Sequence, residues 1–243
     1  MWSIYFKEIN AFFSSLIAYI SITVFLVATG LFVWVFPDTA ILEYGYATLD
    51  PLFLIAPWVF MFLIPAVTMR SFSEEFSTGT IEMLVTKPLS ENKIIFGKYL
   101  AALTLVLFSL LPTLVYYYAV HQLGFPPGNL DSGGITGAYI GLFFLAAVFV
   151  AIGLFASTLS KNQIVAFVLA VFLCFVFYMA FDFISELDLF YGGIDSALQW
   201  MGINYHYNSI SRGVIDSRDI VYFLSLIALF LYLTKISFES RKW

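Results

Sequence analysis

Six stretches of the chain are apolar almost without interruption, near residues 13–36, 52–69, 99–121, 135–158, 164–184 and 219–236. A helix needs roughly 20 apolar residues to cross a hydrocarbon core about 30 Å thick, and each stretch meets or nearly meets that length. The runs do not alternate between apolar and polar residues, which argues against a transmembrane barrel, and a backbone facing lipid has to satisfy its own hydrogen bonds. The pattern predicts an all-α integral membrane protein with six transmembrane helices in one domain over 1–243.

The polar interruptions are uneven. Residues 70–98, RSFSEEFSTGTIEMLVTKPLSENKIIFGK, form a charged island between the second and third runs. Its pattern predicts an amphipathic helix with Phe72, Phe76, Met83 and Leu84 on one side. Glu74, Glu75, Ser77, Thr78 and Glu82 fall mostly on the other. Lys87-Pro88 stops that helix, because proline disfavours a helical residue before it. Ahead of the first run, Trp2, Tyr5, Phe6, Ile9, Phe12, Phe13 and Leu16 make an apolar stripe opposite Ser3, Lys7, Asn10 and Ser14. Such a stripe predicts an interfacial elbow helix over 1–14. Residues 37–51 and 122–134 read as ordinary loops. The segment 185–217 carries Leu189, Phe190, Tyr191, Leu198, Trp200, Met201, Ile203, Tyr205, Tyr207 and Ile210, too apolar for an exposed hairpin, and predicts short re-entrant helices. Trp200, Tyr205, His206 and Tyr207 are the candidates there for an outer gate.

Composition agrees with the pattern. The chain is 61% apolar and 11% charged, with a mean hydropathy of +0.93, against about 45–50% and about 25% in soluble domains. Charge supplies an orientation. With both termini cytoplasmic, Lys7, Arg70, Lys87, Lys93, Lys98, Lys161, Lys235, Arg241 and Lys242 lie inside, and only Arg212 and Arg218 lie outside. That satisfies the positive-inside rule. The net charge of −5 comes from acids on the outer side and gives no reason to expect nucleic acid as a partner. The first apolar run is too long for a signal-peptide core and lacks a convincing cleavage site, so it is read as a retained helix.

Chemical motifs are few. No GxxxxGK[ST] phosphate loop, HExxH motif or histidine cluster occurs, so nucleotide hydrolysis and a metal site are not expected of this chain. The single cysteine, Cys174, excludes an internal disulfide and reads as a packing residue. His121 and His206 lie near the outer boundary, where an interfacial role is expected, and Asp182 lies where it can reach water. Gly137 and Gly141 stand at helix-packing spacing. Pro57, Pro65 and Pro112 interrupt spans.

The island also carries a resemblance. Glu74-Glu75, Gly79-Thr80, Glu82, Leu84-Val85, Pro88 and Gly97-Lys98, following a second span, resemble the cytoplasmic loop of ABC-2 type permeases. Within them, FKEINAFFSSLIAYI and NYHYNSISRGVIDSRDIVYFLSL look most like the permease subunit of the gliding-motility ABC transporter of Bacteroidota, with Leu16 where proline is expected. Nitrous-oxide-reductase maturation permeases are also similar. The resemblance implies a type V exporter-like fold in the bacterial inner membrane, with two permeases around a central pathway and an ABC ATPase beneath each. The second permease is expected to be a different chain. Arg70, Glu74, Glu75, Gly79, Thr80, Glu82, Pro88 and Lys98 are then the ATPase-coupling residues, with the three glutamates expected to pair with basic groups on the ATPase. ATP and magnesium belong to that partner, and this chain holds no cofactor of its own. Alternatives are a homodimeric exporter, a membrane anchor of a surface machine and an intramembrane enzyme.

Overall fold

The computed structural model describes residues 1–43, 45–81, 90–187 and 193–240. Among them the regular structure is entirely helical. Helix α1 spans Trp2–Ser14, α2 Leu16–Trp34, α3 Asp50–Thr68, α4 Arg70–Thr78, α5 Glu91–Leu110 and α6 Leu114–Leu123. They are followed by α7 over Ser132–Leu159, α8 Gln163–Phe175, α9 Phe181–Ser185, α10 Ile194–Gln199, α11 Ile203–Ser211 and α12 Ser217–Ser240. Among the described residues six helical segments are long and apolar enough to cross a membrane: 16–34, 50–78, 91–123, 132–159, 163–185 and 217–240. All six expected runs are therefore helices. The third begins at Glu91 rather than 99, because Ser90 opens it and its carbonyl accepts from Lys93 N at 2.9 Å.

The chain turns between α1 and α2 at one residue. Ser15 is extended, with φ −106° and ψ 157°, and its Oγ donates to the Phe12 carbonyl at 2.9 Å. Leu16 takes the first position of α2, where proline is well tolerated because its N–H would have no intrahelical partner. α2 is apolar all round, yet only Ala18, Ser21, Phe25, Thr29 and Val33 are buried. Those residues recur every three to four positions and make one seam against the bundle, where Phe25 stacks on Phe60 at 4.8 Å. The rest of α2 is almost entirely apolar and half-buried or exposed, as a lipid-facing helix must be.

α7 is the axis of the fold. At 28 residues it is about 42 Å long, more than the hydrocarbon core requires. Asp131 caps it by accepting from Gly134 N at 3.0 Å. Helices α3, α4, α5, α8, α11 and α12 all pack on it. Burying apolar side chains from lipid gains little, so close approach of backbones has to supply the attraction. A β-carbon added at Gly137 would sit 2.6 Å from the Ile210 carbonyl, and one at Gly153 would overlap the Thr68 side chain. The turn between α7 and α8 is as short as expected, with Asn162 Oδ1 accepting from Ile164 N at 2.9 Å.

Span five is not a continuous α-helix. A π-helical turn over Val176–Ala180 joins α8 to α9 and buries Tyr178 between Trp58 and Phe149. Beyond it come two short helices, as the apolar character of 185–217 predicts: α10 packs on α9, and α11 returns to α7 and α12. Asp188, Leu189, Phe190 and Tyr191 of that segment lie outside the described residues.

Candidate functional site

Two polar assemblies stand at opposite ends of the bundle, and the first joins α1, α4 and α5. α4 continues α3 past Met69 and ends where Gly79 takes a left-handed conformation, φ 72°. A left-handed residue at a helix end is cheap only for glycine. The single amphipathic helix expected from Arg70 to Lys87 is thus interrupted at Gly79; Glu82, Met83, Leu84 and Pro88 lie outside the described residues. On α4, Phe72 is fully buried, and both Phe72 and Phe76 pack on Phe238 of α12, at 5.5 and 6.3 Å.

Glu75 departs from its expected place on the polar side. It is buried, because it lies three residues after Phe72 and four after Ser71, on the face that packs inward. Opposite stands Lys98 of α5, only 2% exposed. Its ammonium donates to Glu8 Oε1 at 2.9 Å, Glu75 Oε1 at 2.9 Å and the Ser71 carbonyl at 2.7 Å. An ammonium has three protons, so Lys98 is fully satisfied, and the Phe72 ring lies 5.2 Å from it. Lys7 adds a contact to Glu75 Oε1 at 3.2 Å. Burial disfavours its charge, but Glu75 and Glu8 outweigh this and hold its pKa above the usual lysine value. Glu75 Oε2 is buried without a hydrogen-bond partner.

Gly97 explains how α1 comes close enough. A β-carbon there would lie 3.0 Å from the Ile4 side chain and 3.2 Å from the Met1 carbonyl, so the Gly97-Lys98 pair brings α1 in and then pins it through Glu8. The stripe read from the sequence omitted Ile4 and Glu8, yet these are the buried residues of α1, while Trp2 and Phe6 are 61% and 58% exposed. The signal was available as the i, i+4 spacing of an apolar residue and an acid. Glu74 stays half-exposed, in a two-pronged contact with Arg70 at 2.8 Å. Gly79 is exposed, and Thr80 hydrogen-bonds Thr78 at 3.0 Å. A groove of about 600 Å³ runs between α1 and α4, past Phe12, Glu74, Thr78 and Thr80.

The second assembly gathers the gate candidates. His206 and Tyr207 on α11 are buried, whereas Trp200 and Tyr205 are 58% and 40% exposed. Tyr207 donates to the Phe53 carbonyl at 2.7 Å. Pro57 has no N–H to offer that carbonyl, so the tyrosine fills a vacancy that the proline creates. His206 Nδ1 lies 2.6 Å from Asp219 Oδ1, and its Nε2 lies 2.9 Å from the Trp200 carbonyl. This histidine, expected near the outer boundary, is buried within the protein. Asp182 does not simply reach water: it accepts from Asn204 at 2.6 Å. Gly137 and Gly141 serve packing, since α11 rests on them. A cavity of about 780 Å³ opens beside α11, lined by Asp50, Phe53, Trp58, Tyr178, Asn204, Tyr207, Asn208 and Arg212 among others.

Among the described residues no group of three or more histidine, cysteine or acidic side chains is placed to hold a metal ion. Six membrane-length helices, a separate amphipathic N-terminal helix and a helical stem emerging from span two are the setting for one comparison. The family described as ABC-2 family transporter protein matches residues 4–243. The chain belongs to that family. No curated protein matches it in a whole-sequence comparison. ABC-2 permeases are multi-pass membrane subunits that normally work with an ABC ATPase.

Proposed function

We propose that this permease is the membrane subunit of an ATP-driven exporter or force transmitter in a bacterial inner membrane. Both termini face the cytoplasm, where a separate ATPase docks beneath α1 and α4. The observation that carries the reading is the buried Lys98 contact to Glu8 and Glu75. It makes the first helix and the stem of the charged island one unit with span three, so a push on either is felt by the spans. Glu74, Gly79 and Thr80 offer the exposed part of the docking surface, and Glu82 and Pro88, later in the same loop of the sequence, are assigned to the same role. Glu75 and Lys98 act from inside as positioning residues. Arg70 orients Glu74.

The partner permease is a different chain and the assembly serves gliding motility, a reading supported by the likeness of the N- and C-terminal wording to gliding-type sequences. The test is purification of the tagged chain from its native membrane in mild detergent, followed by mass spectrometry. Recovery of an ABC ATPase with a second, distinct permease is expected. An ATPase alone identifies a homodimeric exporter instead, and no ATPase overturns the docking surface.

A further inference from the structure

We infer that His206 and Asp219 form a proton-held clasp that fastens α11 to the last span and loosens when one proton leaves the pair. The Trp200 carbonyl, 2.9 Å from Nε2, is an acceptor only, so that contact needs a proton on Nε2. The 2.6 Å contact between Nδ1 and Asp219 Oδ1 needs a second proton on one of those two atoms. A neutral imidazole facing an ionised carboxylate has one proton in all. The clasped pair therefore holds one more, shared between imidazole and carboxyl.

The surroundings keep the pair isolated. His206 and Asp219 are 8% and 4% exposed, and Asp219 Oδ2 is buried without a hydrogen-bond partner. From α12, Tyr222 stacks on the imidazole at 3.8 Å, and its hydroxyl donates to the Met201 carbonyl at 2.6 Å. Two successive carbonyls of the turn between α10 and α11 are thus held, one through the shared protons and one by a tyrosine. Among the described residues the other titratable groups near the ring are Tyr205 on its own helix and Asp182 of α9, which reaches α11 through Asn204. α7 meets α11 with Gly137 and Gly141 and brings no charge. Arg212 and Arg218 are exposed and make no ion pair among the described residues.

Loss of one proton leaves a ring that satisfies either the carbonyl or the carboxylate. The other contact then becomes a buried acceptor with no donor, which is costly. The clasped state binds more protons than the released one, so the clasp weakens as pH rises. α11 is one wall of the 780 Å³ cavity through Asn204, Tyr207 and Asn208, and its release alters that cavity.

The experiment uses the full chain with ¹⁵N-labelled histidine in lipid nanodiscs. The chain has two histidines, and His121→Gln leaves His206 as the only signal. The expected result is a pair that carries two protons at low pH. As pH rises, loss of one coincides with an increase of about tenfold in amide exchange over 200–212, after correction for the intrinsic pH effect. Asp219→Asn should abolish that step. A single proton on the pair at every pH, or exchange that does not follow the titration, overturns the proposal; the unsubstituted pair decides this even if the Asp219 variant fails to fold.

Discussion

At Phe53 a covalent feature of one helix explains a hydrogen bond from another. Proline in a membrane span is tolerated when something else satisfies the carbonyl it frees, and here the donor is the Tyr207 hydroxyl at 2.7 Å. Removing that hydroxyl by Tyr207→Phe leaves the carbonyl buried and unpaired, at a cost of about 1–2 kcal/mol. Pro57→Ala restores an N–H to α3, and Tyr207→Phe in that background should cost well under half as much. Reversible unfolding of the four variants in mixed detergent measures the coupling. Equal costs in both backgrounds would show that Tyr207 matters only for its ring. The sequence made Pro57 visible as an interruption and Tyr207 visible as an outer aromatic residue. Their partnership was not visible, because residues 57 and 207 lie in separate helices and only the packing of α11 on α7 brings Tyr207 to the Phe53 carbonyl.

Elements were more legible than the contacts between them. Span-length apolar runs and the stripe on residues 1–14 are local patterns, and local patterns determine helices. The direction a charged side chain takes depends on what stands opposite, so Glu75 read as part of a solvated face although its spacing from Phe72 puts it on the buried one. The burial of Lys98 was not visible for the same reason. At this scale α1, α4 and α5 are joined by one cation. Lys98→Met keeps the volume of the side chain but leaves the buried Glu8 and Glu75 carboxylates only the half-exposed Lys7 as a cation, which should destabilise the chain by roughly 2–4 kcal/mol. The triple variant in which Glu8→Gln and Glu75→Gln accompany Lys98→Met should recover most of that loss, because the only charge left without its partners is Lys7, which is half-exposed and can be solvated. In the assembled complex the triple variant should still bind ATPase, yet show weaker coupling of ATP turnover to transport. Wild-type coupling in a stable triple variant would mean that packing alone unites the three helices.

The arrangement of the whole molecule places the Lys98 assembly at one end of the bundle and the His206 assembly at the other. α3 carries this separation, running from Phe53 beside Tyr207 down to Thr68 and then into α4. The proposed function requires the first end to face the cytoplasm. Lysine and arginine supply the argument, since the loops at that end carry most of them. Cysteine labelling is a direct check, because Cys174 is the only cysteine and is fully buried. Ser77 on α4 and Asn129 in the loop before α7 are both exposed, so each accepts a cysteine without disturbing a buried contact. A membrane-impermeant maleimide should label Ser77→Cys only in inside-out vesicles and Asn129→Cys only in right-side-out ones. The reverse result would put the α1–α4 groove on the side without ATP. It would remove the docking surface while leaving the fold, the family and the proton clasp as they stand.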